Sequence, residues 1–184
     1  MIKTNKSHSD HLLDALVYGT SIQKVTPMGC DIHWYSETKK DGVWICDQAE
    51  TLQIFKDEND YPDMANFPGR ERDYWWFGFI QPGVRSKFDF SFNERIAIPE
   101  DVSKEVQLIF DQWSSDGHSH GWLTREEMKV KLEEMKVARA QALIQPTRNV
   151  EPIVHLYNRL EKVIADLESD VPDSDRRVVF CFDN

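Results

Sequence analysis

The 184-residue sequence predicts an α+β fold, with a small antiparallel sheet (an N-terminal hairpin plus a C-terminal strand) packed with three to four helices. Three observations predict it. Apolar and polar side chains alternate near residue 30, and the segment near the C-terminus is rich in apolar residues, and both patterns are typical of strands. Between them, apolar residues recur at helical spacing in three segments. Two of those segments are joined by a short connection, which favours a long antiparallel helical hairpin over about 124–168.

The N-terminal part divides into an extension and the start of a sheet. Leucines at helical spacing predict a helix over 9–18, so we expect 1–27 to form a helical extension before a single α+β domain over 28–184. Alternation around an Asp-Gly turn predicts a β-hairpin over 29–47. The side-chain period of two places Asp31 and His33 together on its polar face.

Two further segments are a polar stretch and an aromatic window. Proline, glycine and charged residues indicate a surface loop over 57–72. The window 73–80 contains six aromatic or aliphatic side chains among eight residues, and its pattern fits either a buried strand or a short helix. We interpret these aromatic residues first as core.

The rest of the chain gives clearer signals. Apolar spacing predicts an amphipathic helix over 100–113, and the capping box 124–127 begins a second helix. A third helix opens at Pro152. The apolar segment 176–182 predicts a final strand, which we place beside the N-terminal hairpin because an unpaired apolar strand would promote aggregation.

Composition excludes several classes of function. The chain has 32 acidic against 22 basic residues and a net charge of −10, which disfavours general binding to nucleic acids or anionic membranes. No apolar run is long enough to span a bilayer. Three widely spaced cysteines indicate free thiols in a reducing compartment, so we expect a cytoplasmic protein.

Two short segments concentrate ligand-type side chains. Asp31 and His33 lie in one, and Asp116, His118 and His120 lie in the other. If they converge, they suit a divalent ion such as Zn²⁺, Mn²⁺ or Fe²⁺. The alternatives are a simple turn at the second segment, or a polar pocket for a small anionic molecule.

Arginines flank the aromatic window in this otherwise acidic chain. Arg72 and Arg85 present forks that bind phosphate, and Tyr74 offers a ring on which a base can stack. Together they suggest a nucleotide-sized site. Against it, surface arginines commonly pair with neighbouring acids.

Four segments resemble a family of small bacteriophage-encoded proteins. These are the Met-Gly-Cys-Asp-Ile-His segment 28–33, the Arg-x-Tyr to Gly-Val-Arg segment 72–85, the Asp-Gly-His-Ser-His to Trp-Leu segment 116–123 and the C-terminal segment 177–184 ending in Phe-Asp-Asn. The resemblance implies a phage setting inside an infected bacterial cell. It also implies that Met28 is either an alternative start or the point where an added helix ends.

Three functional hypotheses follow, and whether the protein is an enzyme stays open. The first is a phage accessory protein that binds a small nucleotide-like ligand, for example to sequester a host immune signal. Its candidate residues are Asp31, His33, Arg72, Tyr74, Arg85, Asp116, His118 and His120. The second is a metal-dependent hydrolase acting on a phosphate ester. The third is a module that binds a host protein through the helical hairpin, and a homo-oligomer is compatible with each.

Overall fold

A computed structural model describes residues 30–49, 72–81, 83–84, 95, 97–113, 115–144 and 150–183. Within them the fold is α+β, as predicted, with a four-stranded antiparallel sheet and four α-helices. The expected helix at 9–18, the loop at 57–71 and the side chain of Arg85 lie outside the described residues.

The sheet has the strand order β2-β1-β4-β3. Its strands are β1 (Ile32–Lys40), β2 (Val43–Cys46), β3 (His118–Thr124) and β4 (Arg176–Phe182). The predicted hairpin is confirmed, because Asp41 and Gly42 adopt φ values of 51° and 80° in the tight turn between β1 and β2. The predicted C-terminal strand β4 pairs with β1 and occupies a central position.

The strand β3 was not expected as part of the sheet. It pairs antiparallel with β4 and forms the edge opposite β2. Its register shifts between His118 and Gly121, which marks a β-bulge. The bulge interrupts the alternation by which a strand is recognised in sequence.

The helices are α1 (Tyr74–Ile80), α2 (Lys104–Trp113), α3 (Arg125–Ile144) and α4 (Val150–Asp166), and a 3₁₀ turn covers Asp173–Asp175. The aromatic window is therefore helical, and its Trp76, Phe77 and Phe79 are buried. Helices α3 and α4 pack as the predicted hairpin. Leu156 and Leu160 of that hairpin are fully buried.

The chain divides into two compact units. One contains the sheet, α2 and the C-terminal segment. The other contains α1, nearly all of α3, and α4. In this second unit α1 packs against α4, and the ring of Trp75 meets that of His155 edge-on with centroids 5.5 Å apart.

The polar face of β1 is buried in the sheet unit. His33, Tyr35 and Glu37 are all at most 5% exposed. Tyr35 belongs to a cluster with Ile109 and Phe110 of α2, so this helix packs on that face of the sheet. The sequence pattern identified the polar face but could not show that α2 buries it.

A buried ion pair fixes the first turn of α2 to the sheet. Glu37 accepts hydrogen bonds from the Arg177 Nε (2.6 Å) and from the backbone nitrogen of Ser103 (2.7 Å). Arg177 also donates to Asp101 (2.8 Å) and lies 3.9 Å over the ring of Trp44. Glu37 and Arg177 each have a charged partner, so their mutual attraction offsets the cost of removing the Glu37 carboxylate from water.

Among the described residues, we find no helix whose length and apolar character would allow it to cross a membrane.

Candidate functional site

The sheet register brings the two histidine-bearing segments together. On β4, Cys181 pairs with His33 of β1, and the next residue, Phe182, pairs with His118 of β3. Neighbouring strands lie about 4.8 Å apart, so the backbones of His33 and His118 are separated by about 10 Å across β4. The two segments therefore lie at the same end of the sheet, on either side of β4.

The bulge in β3 sends its two histidines in different directions. The imidazole of His118 stacks over Phe182 with centroids 6.4 Å apart, whereas His120 meets Phe110 of α2 edge-on at 5.1 Å. Phe110 packs with Cys181, whose side chain lies on the opposite face of β4 from Phe182. His118 and His120 therefore point to opposite faces of the sheet, whereas in a strand without a bulge they would share one face.

His33 is held between an aromatic ring and a carboxylate. Its imidazole stacks on Trp113, with centroids 4.2 Å apart and planes inclined by 27°. Its Nε2 lies 3.2 Å from the Asp183 Oδ2. The other oxygen of Asp183 accepts a hydrogen bond from the Asp31 backbone nitrogen at 2.9 Å, which orients the carboxylate toward His33.

Arg72 reaches the same end of the sheet. Its Nε and Nη2 donate to the two carboxylate oxygens of Asp31 at 2.8 and 3.2 Å, and its side chain is 58% exposed. An exposed pair of this kind contributes only about 0–1 kcal/mol to stability. A stronger anion can therefore redirect the guanidinium at small cost.

The segment before β3 packs closely against α2. A Cβ atom on Gly117 would lie 2.9 Å from the Trp113 Cβ and 3.9 Å from the His120 Nε2, so only glycine fits without displacement. Burial, followed by the charge of His118, lowers the pKa of His120 below its ordinary value. His120 is therefore neutral at pH 7.

We call the resulting group the sheet-end cluster. It consists of Asp31, His33, Arg72, Trp113, His120 and Asp183, and all of it belongs to the sheet unit, whereas His118 lies on the opposite face of the sheet beside Phe182.

Three other predicted residues contribute no described side-chain contact to this cluster. Asp116 is exposed in the turn after α2, where its backbone nitrogen donates to the Trp113 carbonyl at 2.9 Å. Tyr74 begins α1 in the other unit, and its ring packs on Phe77 at 5.8 Å. Arg85 lies outside the described residues.

A metal centre was one of three alternatives for the two histidine-bearing segments. Within the described ranges, no group of three or more His, Cys, Asp or Glu side chains is placed to hold a metal ion. The candidates were Asp31, His33, Asp116, His118 and His120. The bulge turns His118 and His120 to opposite faces, and the turn leaves Asp116 at the surface.

Sequence reasoning missed Trp113 and Asp183. Trp113 looked like the last apolar residue of a helix, and Asp183 like a polar residue of the tail. A signal existed for Asp183, since it follows a strand predicted to pair with the segment that contains Asp31 and His33. No signal in the sequence indicated that α2 would end against His33.

Comparison of the chain with protein-family models, with curated proteins and with solved structures gives no match.

Proposed function

We propose that the protein binds a small anionic, nucleotide-like ligand at the sheet-end cluster. The observation that carries this proposal is that the stacked rings of His33 and Trp113 lie at the same end of the sheet as the exposed guanidinium of Arg72. Flat rings and a guanidinium fork are the two elements that recognise a base and a phosphate.

Phosphate recognition falls to Arg72. Its guanidinium already makes a two-pronged contact with the carboxylate of Asp31, which has the same fork geometry that a phosphate offers. A ligand phosphate carries more charge than a carboxylate and takes over one or both donors. Asp31 is then released to bond a hydroxyl group of the ligand.

Base and sugar recognition falls to the rings and imidazoles. Trp113 is only partly buried and presents an indole to a stacking partner. His120 lies on the same face of the sheet as His33, and the described residues supply no hydrogen-bond partner to its Nε2. Such nitrogens bind well to the polar edge of a base or to a ribose hydroxyl.

The resemblance to phage proteins supplies the biological setting of the proposal. In an infected cell, a protein that binds a nucleotide-derived signal with high affinity lowers its free concentration. We therefore propose that the protein sequesters a host immune signal of this chemical class, without a requirement for catalysis.

Isothermal titration calorimetry against cyclic mononucleotides, cyclic dinucleotides and ADP-ribose derivatives tests the proposal. We expect the wild type to bind at least one of them and Arg72→Ala to weaken that binding about tenfold or more. Lys136→Ala is the matched control, because it removes an exposed cation from an ion pair on α3 (Lys136 is 62% exposed). Absence of binding by the wild type across the panel contradicts the proposal.

A second candidate function, protein binding, is favoured by one face of α3. Val130, Val137 and Ile144 are 60%, 47% and 79% exposed and follow one another at intervals of seven residues, so they lie along one side of the helix. Exposed apolar stripes mark interaction surfaces. Sedimentation of the wild type and of Val137→Glu tests whether a second copy of the chain binds this stripe. A mass that does not change with concentration or with the variant would exclude self-association through it.

A further inference from the structure

The second residue of β3 has the features of a reactive serine. We propose that Ser119 is a nucleophile activated by His118, and that its substrate class is a small carboxylic ester. This inference does not depend on nucleotide binding, because the His118 imidazole lies on the opposite face of the sheet from His33 and Trp113.

The first support is the backbone of Ser119. Its φ is 51°, in the left-handed region, and the only other described non-glycine residue there is Asp41 of the hairpin turn. Holding a non-glycine residue in this region costs about 1–2 kcal/mol. Bulges commonly redirect a side chain beside an active site, and strained positions of this kind concentrate at such sites.

The second support is the hydrogen bond between the two side chains. The Ser119 Oγ lies 2.9 Å from the His118 Nδ1, within the distance needed for proton transfer to a general base. When Nδ1 accepts this bond, the imidazole carries its proton on Nε2. Ser119 itself is only partly buried, so a substrate can reach its oxygen.

The third support is the other nitrogen of the same ring. The His118 Nε2 is buried, and the described residues give it no hydrogen-bond partner. Leaving such a donor unpaired costs about 1–3 kcal/mol. A side chain with only a structural role gains nothing from this arrangement, whereas a base that changes its protonation state uses both ring nitrogens.

Nearby groups fit the same chemistry. The stack on Phe182 fixes the plane of the His118 ring. His120 is neutral at pH 7 because burial lowers its pKa, so the positive charge that develops on His118 is not opposed by a permanent charge at His120.

The reaction takes place in two balanced halves. The Ser119 oxygen bonds to the carbonyl carbon of the ester while its proton passes to the His118 Nδ1; the bond to the leaving alcohol then breaks, and the alkoxide takes that proton. Water attacks the acyl-serine, gives its proton to His118, and releases the acid as Ser119 recovers a proton. Ester and water become acid and alcohol.

Two probes test the inference on the full chain. Turnover of p-nitrophenyl acetate gives the rate, and a fluorophosphonate gives a stable adduct that peptide mapping locates. We expect a single adduct on Ser119 in the wild type and none in Ser119→Ala. We expect His118→Gln to slow labelling by about 100-fold or more.

Two further variants keep the test decisive. Ser119→Gly removes the nucleophile while relieving the left-handed backbone, so it should fold at least as stably as the wild type and remain unlabelled. Ser115→Ala, in the exposed turn before β3, should label like the wild type. The inference is overturned if Ser119 takes up no probe, or if His118→Gln reacts at the wild-type rate.

Discussion

His33 on β1 and Trp113 at the end of α2 stack with ring centroids 4.2 Å apart. This contact joins the last turn of α2 to the sheet. At the other end of the helix, Glu37 of β1 accepts hydrogen bonds from the backbone nitrogen of Ser103, just before α2, and from Arg177 of β4. The helix is thus fixed at both ends along one face of β1. The position of the sheet-end cluster depends on both attachments.

Loss of the Trp113 ring should affect stability and ligand binding together. We expect Trp113→Ala to lower the free energy of unfolding by about 2–3 kcal/mol, slightly less than for a fully buried tryptophan. Nucleotide binding should be lost. Trp113→Phe keeps a ring against His33 and should retain most of both properties. Urea unfolding and calorimetry measure the two effects, and wild-type binding by Trp113→Ala would contradict this role.

Gly117→Ala should disturb the same contact from the other side. The added Cβ would lie 2.9 Å from the Trp113 Cβ, which is too close for two carbon atoms. Relief of that overlap should cost about 1–3 kcal/mol of unfolding free energy. Urea unfolding gives the value, with Ser115→Ala as the nearby control. A stability equal to the wild type would show that α2 and this turn move apart freely.

Removal of only one member of the buried ion pair should lower the free energy of unfolding strongly. The side chains of Glu37 and Arg177 are 0% and 2% exposed. Removal of the Glu37 charge leaves the buried Arg177 with only the exposed Asp101 as its ionic partner, so Glu37→Gln should destabilise the fold by about 3 kcal/mol. The double variant Glu37→Gln, Arg177→Met should lose less than the sum of the single changes. Additive losses in thermal unfolding would contradict the coupling.

The cysteines should be inert in the folded protein. The thiols of Cys30, Cys46 and Cys181 are buried. Burial raises the pKa of the Cys46 thiol to about 12 and raises that of Cys181 further, so neither forms a thiolate at pH 8. Iodoacetamide should leave all three unmodified under native conditions and label all three in guanidinium. Rapid native labelling would show that the sheet opens locally.

Stability should decrease on the acid side because of His120. Burial lowers its folded pKa, while the unfolded value is about 6.5. The folded state therefore binds fewer protons, and the contribution of His120 is constant above pH 6.5 and falls as the pH decreases toward the folded pKa. His120→Gln should show a shallower loss between pH 7.5 and 5.5 in urea unfolding. Parallel profiles for the two proteins would contradict this assignment.

Local signals in the sequence predicted most elements correctly. The Asp41-Gly42 turn determined the hairpin, and Pro152 indicated the start of α4 within a few residues. These features depend on neighbouring residues only. The strand β3 was missed because the bulge at Ser119 breaks its alternation.

The contacts that build the candidate site are long-range, and the sequence does not encode them locally. Asp31 and Asp183 are 152 residues apart, and Glu37 and Arg177 are 140 apart. Burial of the polar face of β1 follows from the second pair, since an unpaired Glu37 would favour exposure. The prediction was that the His33 and His118 side chains meet, but the sheet register places them on opposite faces, beside Cys181 and Phe182 respectively.

Histidine side-chain NMR during addition of the nucleotide panel tests ligand binding at the sheet-end cluster. We expect the imidazole signals of His33 and His120 to shift in a saturable way, while that of His155, which packs on Trp75 in the other unit, stays in place. Unchanged signals for both at saturating nucleotide, or a shift confined to His155, would contradict ligand binding at the end of the sheet.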